Sequence, residues 1–477
     1  MAAPSTSDPH RPGATGPILL AAGLVLAAVL VFWPGIATYD SVVQYAQPLS
    51  GRYDDWHPPV MARLWSLTLH WISGAGPLLA LQMAGYGLGL GLIAGRMRRL
   101  GRPRAALAVM LIGLWPPFLG WQAVVLKDAQ MLGALLAAVG LIVAAPGRPA
   151  TWQMRVAIGA AAMLLLYALL VRANAVFAVA PLIAMLVPLR SARSRILLGV
   201  GLVAATLALS PAINHRLLGA TQSRVTATQP LYDLAGIAVR VGPQAAIGFT
   251  PAETRALIAR HCVRPFFWDP LDDDSRCAGI ASRLFALPSS RLYPMLAEAA
   301  VRHPLAYLAQ RLAHLNSTMR WWVPAGWINA APPLGGEAND LGLAQPGRAA
   351  VAWERLAGWL SDWPTGWPIV WIVVAATMLA ATRRSQDPEL RLPRALLVSA
   401  LALEASFAAF SIASDLRYHL WPMIATALAM ATLPPGSLVD RRALRGGAAV
   451  LILVLIVGLA ARLTLPAPPG DYAGMMG

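Results

Sequence analysis

The sequence predicts an all-α protein that crosses a membrane many times, with polar loops and one long hydrophilic segment on the outer side. Three observations carry this. Hydrophobic residues make up 57% of the 477 and charged residues 13%, with a mean hydropathy of +0.57, which is more apolar surface than one water-soluble core can hide. About eleven runs approach the roughly 20 apolar residues that a helical crossing needs. The basic residues, which give a formal net charge of +16, gather in short loops between those runs, the pattern of cytoplasmic loops. In a soluble protein such a charge would suggest nucleic acid; here it reports orientation, and no nucleic-acid partner is expected.

Residues 1–16, rich in Pro, Ser and Thr, are expected to be a disordered cytoplasmic N-terminus. The first crossing, 17–36, has no small-residue cleavage site behind it and is taken as a retained helix. It delivers the first outer loop, 37–76, with Thr38-Tyr39-Asp40-Ser41, Gln44, Gln47 and the run Asp54-Asp55-Trp56-His57-Pro58-Pro59. Within it, 58–73 repeats Val60, Leu64, Leu67 and Trp71 at helical spacing and is expected to lie in the interface. Crossings at 77–94, 105–120, 129–145 and 156–171, a sixth ending at Arg190, and 196–212 complete an N-terminal membrane module over 17–212. Arg96, Arg98, Arg99, Arg102 and Arg104 mark one inner loop. Arg148 with Arg155, and Arg190, Arg193 and Arg195, mark the next two.

Segment 213–365 has no run apolar enough to span and is expected to be an outer, periplasmic or extracellular domain with helices near 251–261 and 305–319. Four tryptophans over 353–367 suggest an interfacial helix. The only cysteines, Cys262 and Cys277, lie here, so a disulfide is expected in an oxidising compartment, with two free thiols as the alternative. Crossings at 367–381, 395–413, 420–433 and 448–465 make up the C-terminal membrane helices, 366–465, and 466–477 is an outer tail. The whole is expected in the cytoplasmic (inner) membrane, with its N-terminus inside.

Four outer turns bring charge to membrane depth: Asp40 with Asp54, Asp55 and His57; Lys127-Asp128; Arg172-Ala173-Asn174; and Asp415-Leu416-Arg417-Tyr418-His419. Ionisable groups there are costly unless they pair, face water or bind ligand. Four on one face point to a common cavity; interhelical ion pairs such as Asp128 with Arg172 are the structural alternative. Glu404 sits alone within a helix. Asp269 with Asp272, Asp273 and Asp274 lacks the glycine and terminal glutamate of a calcium loop and is taken as a solvated acidic turn. Trp321, Trp322 and Trp327 suit either stacking on a sugar or anchoring in the interface.

The combination of Pro34-Gly35, Tyr39-Asp40-Ser41, Gln44, Asp55-Trp56-His57-Pro58-Pro59, the Lys127-Asp128 and Arg172-Ala173-Asn174 turns and Asp415-Leu416-Arg417-Tyr418 resembles the GT-C superfamily of membrane glycosyltransferases. It is most similar to bacterial branches beside the protein O-mannosyltransferase and aminoarabinose transferase families. The resemblance implies a sugar donor on a polyprenyl phosphate and transfer, with inversion, to an envelope glycan, lipid or protein acceptor at the outer face. It makes Asp40 the catalytic base, with capping of the following helix as the alternative. For the phosphate, Lys127, Arg172 and Arg417 are the candidates, arginine as a planar fork and lysine as a point charge, with a snorkelling interfacial cation as the alternative for Lys127; Asp54, Asp55, His57, Asp128, Asn174 and Tyr418 are further substrate-binding candidates. Better-known members carry two adjacent acids where this chain has Asp40-Ser41; if a divalent metal ion is used, Asp40, Asp55 and His57 are its candidate ligands. A flippase or transporter for a lipid-linked glycan is the alternative. It would need intramembrane charge continuing inward, whereas here charge stops at the outer turns apart from Glu404.

Overall fold

Each apolar run lies in a helix in the computed structural model, which describes residues 15–145, 151–189 and 191–476. The stretch expected to be disordered lies outside the described residues as far as residue 14, and its last two residues open the first helix. Arg148 and Arg190 also lie outside. The first half of the chain runs through α1 (Thr15–Phe32), α2 (Tyr39–Ser50), α3 (Pro59–Thr68), α4 (Gly76–Arg99), α5 (Pro103–Gly113), α6 (Pro116–Ala123), α7 (Lys127–Ala144), α8 (Trp152–Val171), α9 (Val176–Leu186) and α10 (Ala192–Ala212). The second half runs through α11 (Thr228–Val241), α12 (Pro251–Ala259), α13 (Ala278–Phe285), α14 (Ser289–Arg302), α15 (Pro304–Met319), α16 (Arg348–Ser361), α17 (Pro368–Thr382), α18 (Arg391–Phe410), α19 (Leu420–Thr432) and α20 (Arg441–Thr464). Among the described residues there is no strand, only isolated bridges.

Among the described residues six helices are long and apolar enough to cross a membrane: α4, α7, α8, α10 extended to Leu217, α18 with the turn before it, and α20. The expected count of about eleven falls short for a local reason. The run 105–120 is two helices, α5 and α6, meeting at 51° where Pro116 and Pro117 follow Trp115; proline lacks the amide proton and pushes its predecessor out of helical geometry. The apolar helices at the first, sixth and eighth expected crossings are shorter than a full span, and Pro181 lies inside α9.

The bundle is organised around α7, which is buried along most of its length. It meets α4 backbone to backbone. A Cβ on Gly85 would stand 2.9 Å from the Gly133 carbonyl oxygen, and one on Gly89 only 2.3 Å from the Leu136 carbonyl carbon. Small residues permit this approach where lipid removes the hydrophobic drive between helices. At the opposite extreme, α10 buries none of its residues, as suits a helix whose apolar surface faces acyl chains.

Helices α11 to α15 close a second core around Leu231, Tyr232, Leu257 and Leu292, and the Cys262–Cys277 disulfide is formed inside it. Asp233 is fully buried and paired with Arg311 at 3.1 Å. Arg311 also donates to the carbonyls of Phe407 and Ala408 in the last turn of α18. One guanidinium thus ties this second core to the bundle.

Helix α16, expected near 353–367, begins five residues earlier and packs on α6 through Glu354. That side chain is fully buried, and neither carboxyl oxygen finds a hydrogen-bond partner among the described residues. Burial pushes its carboxyl up to about 8. A native-state value above that of the unfolded chain means the protonated form stabilises the fold at low pH, and this contribution is lost as pH rises from the ordinary 4.5 through 8. The melting temperature of detergent-solubilised protein is therefore expected to fall between pH 5 and pH 8, and Glu354→Gln to flatten that slope; an unchanged slope in the mutant rules this out.

Candidate functional site

The site begins with how two helix starts are held together. After α1 the chain passes Gly35 at φ +99°, where a Cβ would lie 2.6 Å from the Val125 side chain, so this left-handed, crowded position requires glycine. Ile36 then runs beside Val124: Ile36 N–H donates to the Ala123 carbonyl and Val125 N–H to the Ile36 carbonyl. Ser41 Oγ donates to the Val125 carbonyl at 2.7 Å. These bonds place the first turn of α2, with Asp40, beside the first residue of α7, Lys127. A buried glutamine cluster fixes the α6–α7 junction from behind. Gln82 Nε2 donates to the carbonyls of Gln122 and Val124, Gln122 Nε2 returns bonds to the Gln82 and Ala129 carbonyls, and Gln130 Nε2 bridges to Gln82 Oε1. Nothing in the spacing of these glutamines marked them beforehand.

Asp40 is the hub of the charged turns. Its Oδ2 lies 3.1 Å from Arg417 Nη2 and 3.4 Å from Lys127 Nζ, and its Oδ1 lies 3.8 Å from His57 Nε2. Lys127 Nζ also donates to His57 Nδ1 at 2.7 Å, which makes the imidazole the neutral tautomer with its proton on Nε2, facing Asp40. Burial, followed by the Lys127 charge, pushes His57 down to about 3 and keeps it neutral. Burial alone would raise the Asp40 carboxyl, but Lys127 and Arg417 outweigh it and hold the group well below the usual carboxylate range. The helix-capping position before α2 belongs to Thr38, whose N–H donates to Ser41 Oγ.

Arg417 is shared. Its Nε lies 2.8 Å from Asp415 Oδ2 and 3.9 Å from Asp128 Oδ2, and Asp415 Oδ1 accepts the Arg417 amide, capping the short turn Leu416–His419. Arg172 pairs with Asp128, donates to Asn174 Oδ1 at 2.8 Å and lies over the Tyr418 ring, 4.3 Å from its centroid. Behind this turn His419 Nδ1 meets Glu404 at 2.8 Å and its Nε2 meets Thr318 Oγ1 at 3.0 Å. Glu404, within α18, thus serves a neighbour and anchors the Arg417 turn.

A cavity of about 1450 Å³ opens over this cluster, with Asp40, Asp54, His57, Lys127, Arg417 and Tyr418 on its wall. The other sequence candidates lie elsewhere. Asp128, Arg172 and Asn174 stand behind the wall, Arg172 being 8% exposed. Asp55 turns outward: its Oδ1 accepts from the Ser223 amide and hydroxyl, both at 2.6 Å, and its Oδ2 lies 3.5 Å from His215. It fastens the loop between α2 and α3 to the chain after α10. The proposed metal set therefore does not gather, since Asp55 is engaged elsewhere and His57 offers its lone pair to an ammonium group. No group of three His, Cys, Asp or Glu side chains placed to hold a metal ion occurs among the described residues.

Asp269, expected in a solvated turn, instead lies on the cavity wall with Phe266, Phe267, Trp268 and Trp327. Trp321 points away and donates to the Val454 carbonyl of α20. Asp415, named only as part of its turn, proves to be the direct partner of Arg417.

No protein-family model matches the chain, and no curated protein sequence does. Among solved structures, the chain is similar to the archaeal oligosaccharyltransferase AglB from Archaeoglobus fulgidus in complex with an inhibitory peptide and a dolichol-phosphate, at 13% identity and a TM-score of 0.36. The match covers 95% of this chain and 56% of that one, so this chain spans little more than half the length of the structure it resembles.

Proposed function

We propose that the chain is a membrane glycosyltransferase that moves a sugar from a polyprenyl-phosphate donor to a hydroxyl of an envelope acceptor. One observation carries this reading: a carboxylate and two cations from three separate turns, Asp40, Lys127 and Arg417, meet on the wall of one large cavity at the ends of apolar helices. A lipid phosphate needs cations close to hydrocarbon, and a sugar with its acceptor needs a polar chamber beside them. In the reaction the acceptor oxygen attacks the anomeric carbon as the carbon–oxygen bond to phosphate breaks. Polyprenyl phosphate leaves with that electron pair, and the hydroxyl proton passes to Asp40. The charge developing on the phosphate is met by the Arg417 fork and the Lys127 ammonium, while Arg172, Asn174 and Asp128 hold the Arg417–Tyr418 turn from behind. Asp54 and His57 line the chamber where the sugar would lie.

The reading is tested on the full chain in lipid nanodiscs with undecaprenyl phosphate and undecaprenol as paired ligands. The phosphate is expected to bind at least about tenfold more tightly than the alcohol, and Lys127→Ala to remove most of that preference, because a charge-assisted contact is worth about that factor. Equal binding of the two lipids would sink the proposal. A flippase would translocate the lipid without covalent transfer in proteoliposomes.

A further inference from the structure

Beyond α20 the chain returns over the cavity and packs against its wall. The Tyr472 ring sits edge-on to Phe266 and Phe267, with centroids 6.2 and 4.9 Å away, and its hydroxyl donates to Asp269. Met475 is buried against Phe266 and Phe267 with Trp327 alongside, and the Met476 carbonyl accepts from Arg276. Trp327 meets Phe266 at 5.6 Å, nearly perpendicular. Its indole N–H is buried and finds no acceptor among the described residues. Phe266, Phe267, Asp269, Trp327 and Tyr472 line the same cavity as Asp40. Burial raises the Asp269 carboxyl, and the charges of Asp272 and Asp40 are near enough to add to the effect.

An aromatic cradle with a carboxylate acceptor on one edge suits a ring that carries hydroxyl groups. Its C–H faces pack on the aromatic rings, while a hydroxyl gives a proton to the acid. Tyr472 meets that description itself, placing a ring on the phenylalanines and a hydroxyl on Asp269. Asp54, Asp272 and Glu337 on the same wall disfavour an anionic occupant, whereas the Lys127 and Arg417 end favours one.

The geometry points to a subsite for a neutral carbohydrate acceptor, built by Phe266, Phe267, Trp327 and Asp269, that Tyr472 of the tail occupies until the acceptor displaces it. This rests on the glycosyltransferase reading: the donor phosphate takes the cationic end and the acceptor sugar the aromatic end, with Asp40 between them. The tail then acts as a competitor for the acceptor and not for the donor.

The test uses the full chain in nanodiscs and three neutral probes, maltotriose, mannotriose and chitotriose, with affinity measured by calorimetry. Tyr472→Ala is expected to bind at least one of them about tenfold more tightly than wild type, the factor for releasing one hydrogen bond to a charged group. Tyr472→Phe, which keeps the ring, is expected to fall between the two. Adding Asp269→Asn to Tyr472→Ala is expected to abolish the gain, and in the wild type the bound sugar is expected to raise deuterium exchange over 471–476. No gain with any of the three sugars, or a gain that survives Asp269→Asn, overturns the inference. Undecaprenyl phosphate measured on the same samples separates the two readings. If the lipid binds and the sugars do not respond, only the acceptor subsite falls; if the lipid shows no preference over undecaprenol, the glycosyltransferase reading falls whatever the sugars do.

Discussion

Asp40→Asn is expected to lower glycosyl transfer by roughly 10²–10⁴-fold, the range a positioned general base contributes, while leaving donor binding intact or tighter. Without a donor, Asp40 is a poor base. Its Oδ2 is held by Lys127 and Arg417 at 3.4 and 3.1 Å, and those charges keep the carboxyl well below its ordinary range against the opposing effect of burial. It occupies the cations proposed to hold the donor phosphate. On the proposed reading, a phosphate that takes Lys127 and Arg417 would share their charge with a second anion and restore basicity to Asp40, so the arrival of the donor would activate the base. Asparagine keeps the size and the first-turn position of α2 but neither accepts a proton nor competes for the cations. Envelope glycan analysis of cells carrying only the mutant, with undecaprenyl phosphate affinity on purified protein, checks both halves. Wild-type transfer by the mutant would remove Asp40 from the chemistry, and weakened lipid binding would show that its carboxylate organises the cations instead of competing with the phosphate.

How far the site was legible in the sequence depends on the range of the interactions that make it. Charge placed where hydrocarbon begins is costly whatever the fold, so the turns with Asp40, Lys127, Arg172 and Arg417 stood out as residues needing partners. Their convergence is long-range: Arg417 reaches Asp40 across most of the chain, and no local pattern encodes that contact. Asp55 shows the converse. Proximity in sequence pairs it with His57 two residues on, but the chain bends through 55–57, and its carboxylate is taken by Ser223 and His215 instead. Helix positions were legible from apolar periodicity, whereas span lengths were not: Pro116 and Pro117 break the run 105–120 into α5 and α6. Composition alone makes Asp269 a solvated acid, and only the return of Tyr472 over the cavity reveals it as part of a wall.

Arg417→Ala is expected to lower both fold stability and donor affinity, and the two losses are separable. The guanidinium faces Asp40, Asp415 and Asp128 and is 13% exposed, so its removal strands carboxylates in a poorly solvated place. Breaking a buried pair from one side costs about 3–5 kcal/mol, with Lys127 and Arg172 reducing that figure because each still serves one of the three acids. The Asp415 carboxyl reports the change. Burial raises it to about 6 from an ordinary 3.8, with Arg417 opposing. A raised native value means its contribution to stability is complete below 3.8 and is lost as pH climbs through 6. Without Arg417 the native value rises further, so stability should fall with pH over a wider range, extending above pH 6. Asp415→Asn in the Arg417→Ala background keeps an acceptor for the residue 417 amide and removes the stranded charge, so it should restore much of the lost stability without restoring phosphate binding. Arg417→Lys should recover charge but not the fork that reaches Asp40 and Asp415 together, giving near-native stability at low pH with donor affinity still reduced. Thermal unfolding against pH, with undecaprenyl phosphate titrations on the same four proteins, decides it: an Arg417→Ala protein as stable as wild type at pH 8 would mean that the acids around it are solvated enough not to need it.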